Sequence, residues 1–332
     1  MSEYILEAYA DLEISTQIVI REALARKIRV EILDRKENFI RLSKDRKTEY
    51  VKEASKTSLD SYISFLIMEN KSVSKLVLAE GGISVPSGKS YDTISNALED
   101  YSLYQSKKVA IKPVTTNFGT GVFIKEENSN FENFKYYVET AFSYSSSIII
   151  EDFIRGEEYR FLVLGEECVA VCKRVPANVK GDGKSNIIEL IDKKNQDPRR
   201  GKGHVTPLEK IQLGEVEMEN LISLGYCASS IPEDGETIFL RKNSNISTGG
   251  DSIDFTDEMH PSYKEIAIKA SRLVSAKICG VDIIIENIDE KASPLNHGIL
   301  EVNFNPVLYI HEYPYIGKSR GIGKKILDLL GF

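Results

Sequence analysis

Short apolar strands follow one another after residue 107, and their order constrains the fold more than any other feature of the sequence. Runs rich in β-branched residues lie at 108–113, 121–125, 147–154, 159–164, 168–175, 237–241, 280–285 and 298–304. Segments with helical spacing separate some of these runs but not others. A parallel sheet needs a long crossover between successive strands, so strand pairs mixed with helices predict an α+β fold.

The first part of the chain has fewer strands and more helix. Its predicted elements are a helix at 12–26, strands at 29–34 and 37–42, and one long helix at 57–81. Thr57 or Ser58 can cap the start of that long helix, which ends at two glycines. The chain leaves this helix through residues 83–86, which end at Pro86, so we predict a domain boundary there. The Gly- and Lys-rich residues 176–210 predict a mobile excursion.

Charge and cysteine content exclude several classes of protein. The 332 residues include 43 Lys and Arg against 50 Asp and Glu, a net charge of −7. Binding to nucleic acid through phosphates needs a basic surface, so we expect no nucleic-acid partner. No 18-residue apolar run and no signal peptide occur, which predicts no membrane partner. Four cysteines make no disulfide framework, and we expect core-filling thiols in a reduced, cytoplasmic protein.

Three oxygen-bearing side chains mark the last strand pair. Asp282 is the lone carboxylate of an apolar strand, and Glu301 and Asn303 point to one face of the next strand. If the two strands form an antiparallel hairpin, the three side chains converge, and hard oxygen donors suit Mg²⁺. The alternative is that Asp282 faces solvent and Glu301 pairs with a lysine.

A lysine followed by a loop of small residues is the second signal. Lys112 ends an apolar strand, and the loop up to Gly121, which includes Gly119, allows backbone N–H groups to approach phosphate oxygens. An ordinary turn explains the same pattern. The loop is not a P-loop, and the nearest match to one has Asn178 where the first glycine is required.

Polar residues directly after the apolar strand at 147–154 are the third signal. A flat apolar slot beside backbone donors suits a purine, and a nearby carboxylate suits ribose hydroxyls. The alternative is an edge strand followed by a solvated turn.

In a fourth signal, Arg160, Arg174 and Arg241 lie in or at the end of apolar strands, near the polar loop 243–250. They predict a wall that binds anionic groups, or three structural salt bridges.

Taken in this order, the four signals resemble the ATP-grasp superfamily. The sequence is most similar to the glutathione-synthetase half of bacterial bifunctional γ-glutamate–cysteine ligase/glutathione synthetases, and cyanophycin synthetase is a more distant relative. The motifs that carry the resemblance are TSLDSYISFLIMENKSVSKLVLAEGGISVP, KPVTTNFGTGV, IEDFIRGEEYRFLVL, LRKNSNISTGGDSIDF and LEVNFNP. The resemblance implies two α+β lobes that grip ATP, at about 108–150 and 155–332 within a domain 87–332, after a small truncated N-terminal α/β domain at 1–86.

The same resemblance implies a role for each candidate residue. The implied ATP-binding residues are Lys71, Lys112, Gly119, Gly121, Glu151, Ile154 and Glu158. The implied Mg²⁺ ligands, with Mn²⁺ as an alternative metal, are Asp282, Glu301 and Asn303. Arg241, Arg160 and Arg174 are the candidate catalytic residues, and the substrate loop supplies Asn245, Ser247, Thr248, Gly249 and Gly250.

The implied reaction joins a carboxylate to an amine through an acyl phosphate. γ-Glutamylcysteine, glycine and ATP would give glutathione, ADP and phosphate. The alternatives are the same chemistry on another amino-acid or peptide pair, and an ATP-binding module without catalysis. Because the first motif begins at residue 57, we expect a separate enzyme to supply the donor dipeptide, unless the chain is an excised part of a longer one. The resemblance also allows a homodimer.

Overall fold

A computed structural model describes residues 4–114, 121–203 and 205–332. In these residues the N-terminal part forms a helix against a three-stranded antiparallel sheet. Its elements are a 3₁₀ turn (Glu7–Tyr9), α1 (Ile14–Ala25), β1 (Arg29–Asp34), β2 (Phe39–Lys44) and β3 (Lys47–Lys52). The sequence pattern predicts all of these except the turn and β3. Val19 and Ile20 of α1 share one core with Leu162 and Ile278 of the central sheet described below.

Two helices replace the single helix predicted at 57–81, so that prediction is wrong. They are α2 (Tyr62–Glu69) and α3 (Lys71–Glu80). Asn70, between them, has an extended backbone, and its side chain accepts a hydrogen bond from the N–H of Val73. An asparagine that caps a new helix in this way ends the previous one. The side chain of Ser61 caps α2, in place of either predicted residue.

A four-stranded antiparallel sheet with helices on it follows. The elements are β4 (Gly88–Tyr91), α4 (Ile94–Glu99), α5 (Tyr101–Tyr104), β5 (Val109–Pro113), β6 (Phe123–Lys125), α6 (Phe131–Tyr144) and β7 (Ile148–Asp152), with strand order β4-β7-β5-β6. Phe134 and Val138 on one face of α6 pack on Ile111 and Ile150 of the sheet.

The chain then forms a hairpin and leaves it for an excursion with its own core. The elements are β8 (Glu157–Leu164), β9 (Glu167–Val175), β10 (Asn178–Lys180), α7 (Ile187–Lys194), β11 (Arg200–Gly201), β12 (Leu208–Glu209), α8 (Glu215–Ser223) and β13 (Thr237–Phe239). Ile187, Ile191 and Ile238 are buried together in this excursion. Residues 176–210, predicted as a mobile excursion, contain regular elements, including α7 with a complete capping box at its start.

The central sheet is completed by three later strands. The remaining elements are a 3₁₀ turn (Ile246–Thr248), β14 (Asp251–Asp254), α9 (Pro261–Leu273), β15 (Ile278–Ile285), β16 (His297–Asn303), α10 (Tyr309–Glu312) and α11 (Ile322–Leu329). The strand order is β14-β9-β8-β15-β16, and each neighbouring pair is antiparallel. Because three sheets of antiparallel strands alternate irregularly with helices, the α+β prediction is confirmed. No helix among the described residues is long and apolar enough to span a bilayer.

Candidate nucleotide and metal site

The two strands β15 and β16 bring the three predicted metal ligands together. They pair in an antiparallel hairpin with Asp282 directly opposite Glu301, which confirms the predicted pairing. The Asn303 amide Nδ2 lies 3.4 Å from Asp282 Oδ2 and 3.2 Å from Glu301 Oε1. Asp282 is buried, so the alternative that it faces solvent is wrong.

Arg160 approaches Asp282 from the other side of β15. The two residues are opposite each other in the β8–β15 register, and Arg160 Nη2 donates to Asp282 Oδ2 over 2.8 Å while Nε contacts Oδ1. A Cβ at Gly280 would lie 2.8 Å from Arg160 Cδ, so glycine leaves the room that this buried side chain occupies. Burial raises the pKa of Asp282, but Arg160 and then Arg174 outweigh it, and the net pKa lies well below the ordinary value.

Charge in this cluster is balanced. Three carboxylates (Glu158, Asp282 and Glu301) face three cations (Arg160, Arg174 and Lys71). Arg174 Nη2 contacts the Glu158 carboxylate and lies 3.1 Å from Asp282 Oδ2, whereas Lys71 Nζ lies 3.9 Å from Glu301 Oε2. A nucleoside triphosphate would bring several further negative charges, and a divalent cation would compensate for them.

The chemistry of the donor set fits a hard divalent cation. Asp282 and Glu301 offer carboxylate oxygens, and a rotation of the Asn303 amide would offer its oxygen in place of Nδ2. In the part of the chain that the structure describes, no three His, Cys, Asp or Glu side chains gather to hold a metal. The candidate set therefore has two carboxylates and one amide, and water and phosphate oxygens would complete the coordination of Mg²⁺.

Glu151 is a second buried carboxylate, in the four-stranded sheet. Its two oxygens contact the ammonium groups of Lys112, on β5, and of Lys75, on α3. Burial raises the pKa of Glu151, but the two lysines more than compensate and hold it below the ordinary value. Glu151 is therefore an ionised acceptor at the junction between α3 and the four-stranded sheet.

The segment between β7 and β8 links the four-stranded sheet to the five-stranded central sheet, and it fits closely against β15 and β16. A Cβ at Gly298 would overlap the Ile154 side chain, and a Cβ at Gly156 would overlap the carbonyl group of Ile285. Gly156 also has a left-handed φ of 129°, which favours glycine. Gly121 has a left-handed φ as well, whereas Gly119 lies outside the described residues.

The predicted substrate loop leads into a third buried carboxylate, Asp251. Within the loop, Thr248 Oγ1 donates to the carbonyl of Asn245 over 2.9 Å, and Gly249 has a left-handed φ of 94°. Arg200 Nη1 donates to the carbonyl of Gly249 over 3.1 Å, while its Nη2 contacts Asp251. A buried guanidinium thus fixes the end of this loop.

Three comparisons with known proteins agree with this architecture. Residues 10–63 match a family model described as an ATP-grasp-like domain, and residues 68–193 match a RimK-like ATP-grasp domain. The crystal structure of a bifunctional glutathione synthetase from Pasteurella multocida superposes with a TM-score of 0.81 and 44% identity, covering 99% of this chain and 45% of that one. The chain belongs to the ATP-grasp superfamily.

Curated relatives of this ATP-grasp chain are longer proteins. It is 56% identical over 328 residues to the glutathione biosynthesis bifunctional protein GshAB of Clostridium perfringens, covering 99% of this chain and 42% of that protein. The protein of the same name from Listeria innocua is 51% identical over 329 residues, which cover 98% of this chain and 42% of the relative. The chain therefore spans less than half the length of these relatives.

The ATP-grasp structure brings half of the predicted site residues into two groups, and Arg241 lies in neither of them. The smaller group consists of Glu151 and Lys112. The larger group surrounds the proposed metal ligands and consists of Asp282, Glu301, Asn303, Glu158, Arg160, Arg174 and Lys71. Arg241 contacts the buried Glu217 of α8 instead. The cysteine prediction holds for Cys168, Cys172 and Cys279, but Cys227 is exposed, so for this residue it is wrong.

Sequence reasoning missed three residues, one that contacts Glu151 and two at the end of the substrate loop. Lys75 lies one helical turn after Lys71, and that spacing could have marked it, because residues four apart share a helix face. Asp251 directly follows the glycine pair of the substrate loop. No local pattern marks Arg200, whose contact with Asp251 joins residues 51 positions apart in sequence.

Proposed function

We propose that this ATP-grasp chain is an ATP- and Mg²⁺-dependent ligase that joins γ-glutamylcysteine to glycine and releases glutathione, ADP and phosphate. The observation that supports it most is the likeness, along almost the whole chain, to proteins named for glutathione biosynthesis. The proposal includes a cytoplasmic location, a boundary near residue 86, and ATP binding between the lobes at 108–150 and 155–332.

In this proposal, the donor carboxylate attacks the γ-phosphate of ATP and forms an acyl phosphate. The amine of glycine then attacks the acyl carbon, the C–N bond forms, and phosphate leaves. Such transfers depend on positioning and on cations near the phosphoryl oxygens rather than on a protein nucleophile. Lys71 and Lys112 would supply cations, Glu151 and Ile154 would contact the adenine, and Glu158 would accept hydrogen bonds from the ribose.

Asp282, Glu301 and Asn303 would hold the divalent cation, with Mn²⁺ as an alternative to Mg²⁺. When bound, the cation neutralises charge on the phosphate oxygens and orients them. Arg160 and Arg174 both contact Asp282, which supports a proposed place for them beside the metal ligands. Arg241 and the loop residues Asn245, Ser247, Thr248, Gly249 and Gly250 would line the side from which the amine acceptor enters.

A product assay tests this function directly. The purified chain is incubated with ATP, Mg²⁺, γ-glutamylcysteine and glycine, and ADP and glutathione are measured together. We expect ADP and glutathione in equal amounts. Neither product should accumulate when γ-glutamylcysteine or glycine is left out. If ADP forms only with another acceptor from an amino-acid panel, the glycine assignment is wrong and the ligase chemistry remains. If no acceptor or donor supports ADP release, the ligase proposal is wrong.

Glu301→Gln tests the metal ligand in the same assay. Loss of one carboxylate charge weakens cation binding, so we expect turnover to fall to background while the folded structure, checked by circular dichroism, is retained. Glu286→Gln, a change just after β15 and outside the cluster, serves as the matched control and should react at the normal rate. A near-normal rate for Glu301→Gln would argue against the metal assignment.

A further inference from the structure

Lys75 is a largely buried cation for which the proposed reaction has no role. Its side chain is 16% exposed, against 26% for Lys112, and both ammonium groups contact the almost fully buried Glu151. Burial lowers the pKa of Lys75, and the Glu151 carboxylate opposes that effect. The three side chains therefore form one compact group in which a single carboxylate is shared by two lysines.

The two lysines reach Glu151 from different parts of the fold. Lys112 belongs to β5, the direct neighbour of β7, so it lies within the same sheet as Glu151. Lys75 belongs to α3, which lies outside that sheet and also carries Lys71 one turn earlier. Because Lys71 lies near Glu301, one face of α3 places a lysine at each of the two acidic groups.

We infer that Lys75 is a positioning residue that remains paired with Glu151 when Lys112 turns toward the phosphate groups of the bound nucleotide. This inference rests on the proposed binding of ATP. A buried carboxylate without a cation is strongly unfavourable, so Lys112 can leave Glu151 only if another cation stays. Lys75 is suited to that role because its ammonium contacts the carboxylate oxygen that Lys112 does not contact.

Direct binding of Mg²⁺ and the non-hydrolysable ATP analogue AMPPNP, measured by calorimetry, tests the inference without any acceptor. The variants are Lys75→Met, which keeps the length of the side chain, and Lys75→Arg, which keeps its charge. Lys107→Met is the matched control, since Lys107 pairs with the adjacent Asp152 over 3.2 Å but is exposed. Thermal unfolding of each variant confirms that it is folded.

We expect Lys75→Met to weaken AMPPNP binding about ten- to one-hundredfold, the range expected when a charged hydrogen bond is lost. Lys75→Arg should restore most of the affinity, and Lys107→Met should bind as the unmodified chain does. In turnover assays, Lys75→Met should raise the KM for ATP about as much, with kcat and the KM of the other substrates changed less than about threefold.

The outcomes separate this inference from the proposed function. If the unmodified chain does not bind AMPPNP, the proposed function fails and the inference fails with it. If the unmodified chain binds and folded Lys75→Met binds equally well, only the inference is wrong. A loss of kcat at unchanged KM for ATP, or no recovery in Lys75→Arg, would also overturn it. Should Lys75→Met not fold, Lys75→Arg against Lys75→Gln provides the same comparison of charge.

Discussion

Two buried carboxylates, Glu151 on the proposed nucleotide side and Asp251 beside the substrate loop, are each held by two cations in different ways. Asp251 contacts a fully buried arginine, Arg200, and accepts hydrogen bonds from Lys194 over 2.6 Å and Asn178 over 2.9 Å. Glu151 contacts only lysines among its described partners, and both of them retain some exposure. The first arrangement is closed, and the second is open to exchange.

The difference follows from the chemistry of the two cations. A guanidinium has several donors in a rigid plane, and Arg200 uses them for Asp251 and for the carbonyls of Glu209 and Gly249. An ammonium on a flexible stem can leave one acceptor for another. A fixed arginine suits a loop that must keep its shape, and paired lysines suit a place where an incoming phosphate replaces a carboxylate.

The largest expected effect concerns the closed group. Arg200→Met removes the buried partner of Asp251 and the donor to two carbonyls, and we expect the free energy of unfolding to fall by about 3–5 kcal/mol. Urea unfolding followed by circular dichroism measures the change. Arg35→Met, which breaks an exposed ion pair with Asp11, is the control and should cost less than about 1 kcal/mol. Equal losses for both variants would remove the distinction between the two carboxylates.

The next effect concerns ATP rather than stability. Lys112→Ala removes the more exposed cation of the open group, and Lys75 still balances Glu151, so the fold should persist. We expect the KM for ATP to rise about tenfold or more, consistent with about 1.5–3 kcal/mol for a hydrogen bond to a charged group. Steady-state kinetics measures it, with Lys107→Ala as the control. An unchanged KM would contradict the phosphate role of Lys112.

A smaller loss of stability is expected at Glu151 itself. Glu151→Gln keeps an amide oxygen as an acceptor for lysines that each retain some exposure, so the free energy of unfolding should fall by roughly 1–2 kcal/mol. Urea unfolding compared with Arg200→Met gives the ranking of the two groups. A loss as large as that of Arg200→Met would show that the open group is as rigid as the closed one.

The same variant has a defined dependence on pH. Lys112 and Lys75 depress the pKa of Glu151 despite its burial, so its stabilising contribution is complete above the ordinary glutamate pKa, about 4.3, and is lost as the pH falls below it. The stability difference between the unmodified chain and Glu151→Gln should therefore shrink under acid. Burial lowers the pKa of His311 from 6.5 to about 3, and the resulting loss of stability below pH 6.5 is common to both proteins and cancels.

The smallest effect lies in the substrate loop, which the closed group holds in place. Thr248→Val loses the hydrogen bond to Asn245, worth about 0.5–1.5 kcal/mol. We expect the KM of the amine acceptor to rise by about two- to tenfold with the KM for ATP unchanged. Thr140→Val, which loses a similar bond to the Tyr136 carbonyl on α6, is the control. An equal rise in the KM of the acceptor and the KM for ATP would contradict the assignment of this loop to the amine acceptor.

Sequence reasoning predicted the parts of this molecule that local pattern determines. The apolar run of β15 predicts that strand, and the alternation of apolar and polar residues in β16 predicts both that strand and the common face of Glu301 and Asn303. By contrast, the apolar spacing of residues 57–81 continues through Asn70, so periodicity alone cannot reveal the break. The capping preference of asparagine is the one signal there.

Local sequence patterns do not identify contacts between residues that are far apart in the chain. Lys75 and Glu151 are 76 residues apart, and Arg160 and Asp282 are 122 apart. An arginine in an apolar strand predicts a partner but does not identify it. Only the register of β8 with β15, and the space above Gly280, determine that Asp282 is the partner of Arg160.

The two glycines beside the linker between β7 and β8 constrain it to different degrees. A side chain at Gly156 would meet the backbone of Ile285 at the end of β15, so the linker itself would have to shift, whereas a side chain at Gly298 would meet the flexible end of Ile154, which can turn aside. At Gly156, backbone clearance therefore limits the path that the linker can take past β15. A larger residue at Gly156 would thus force the connection between the four-stranded and five-stranded sheets onto another path without altering any ionised side chain.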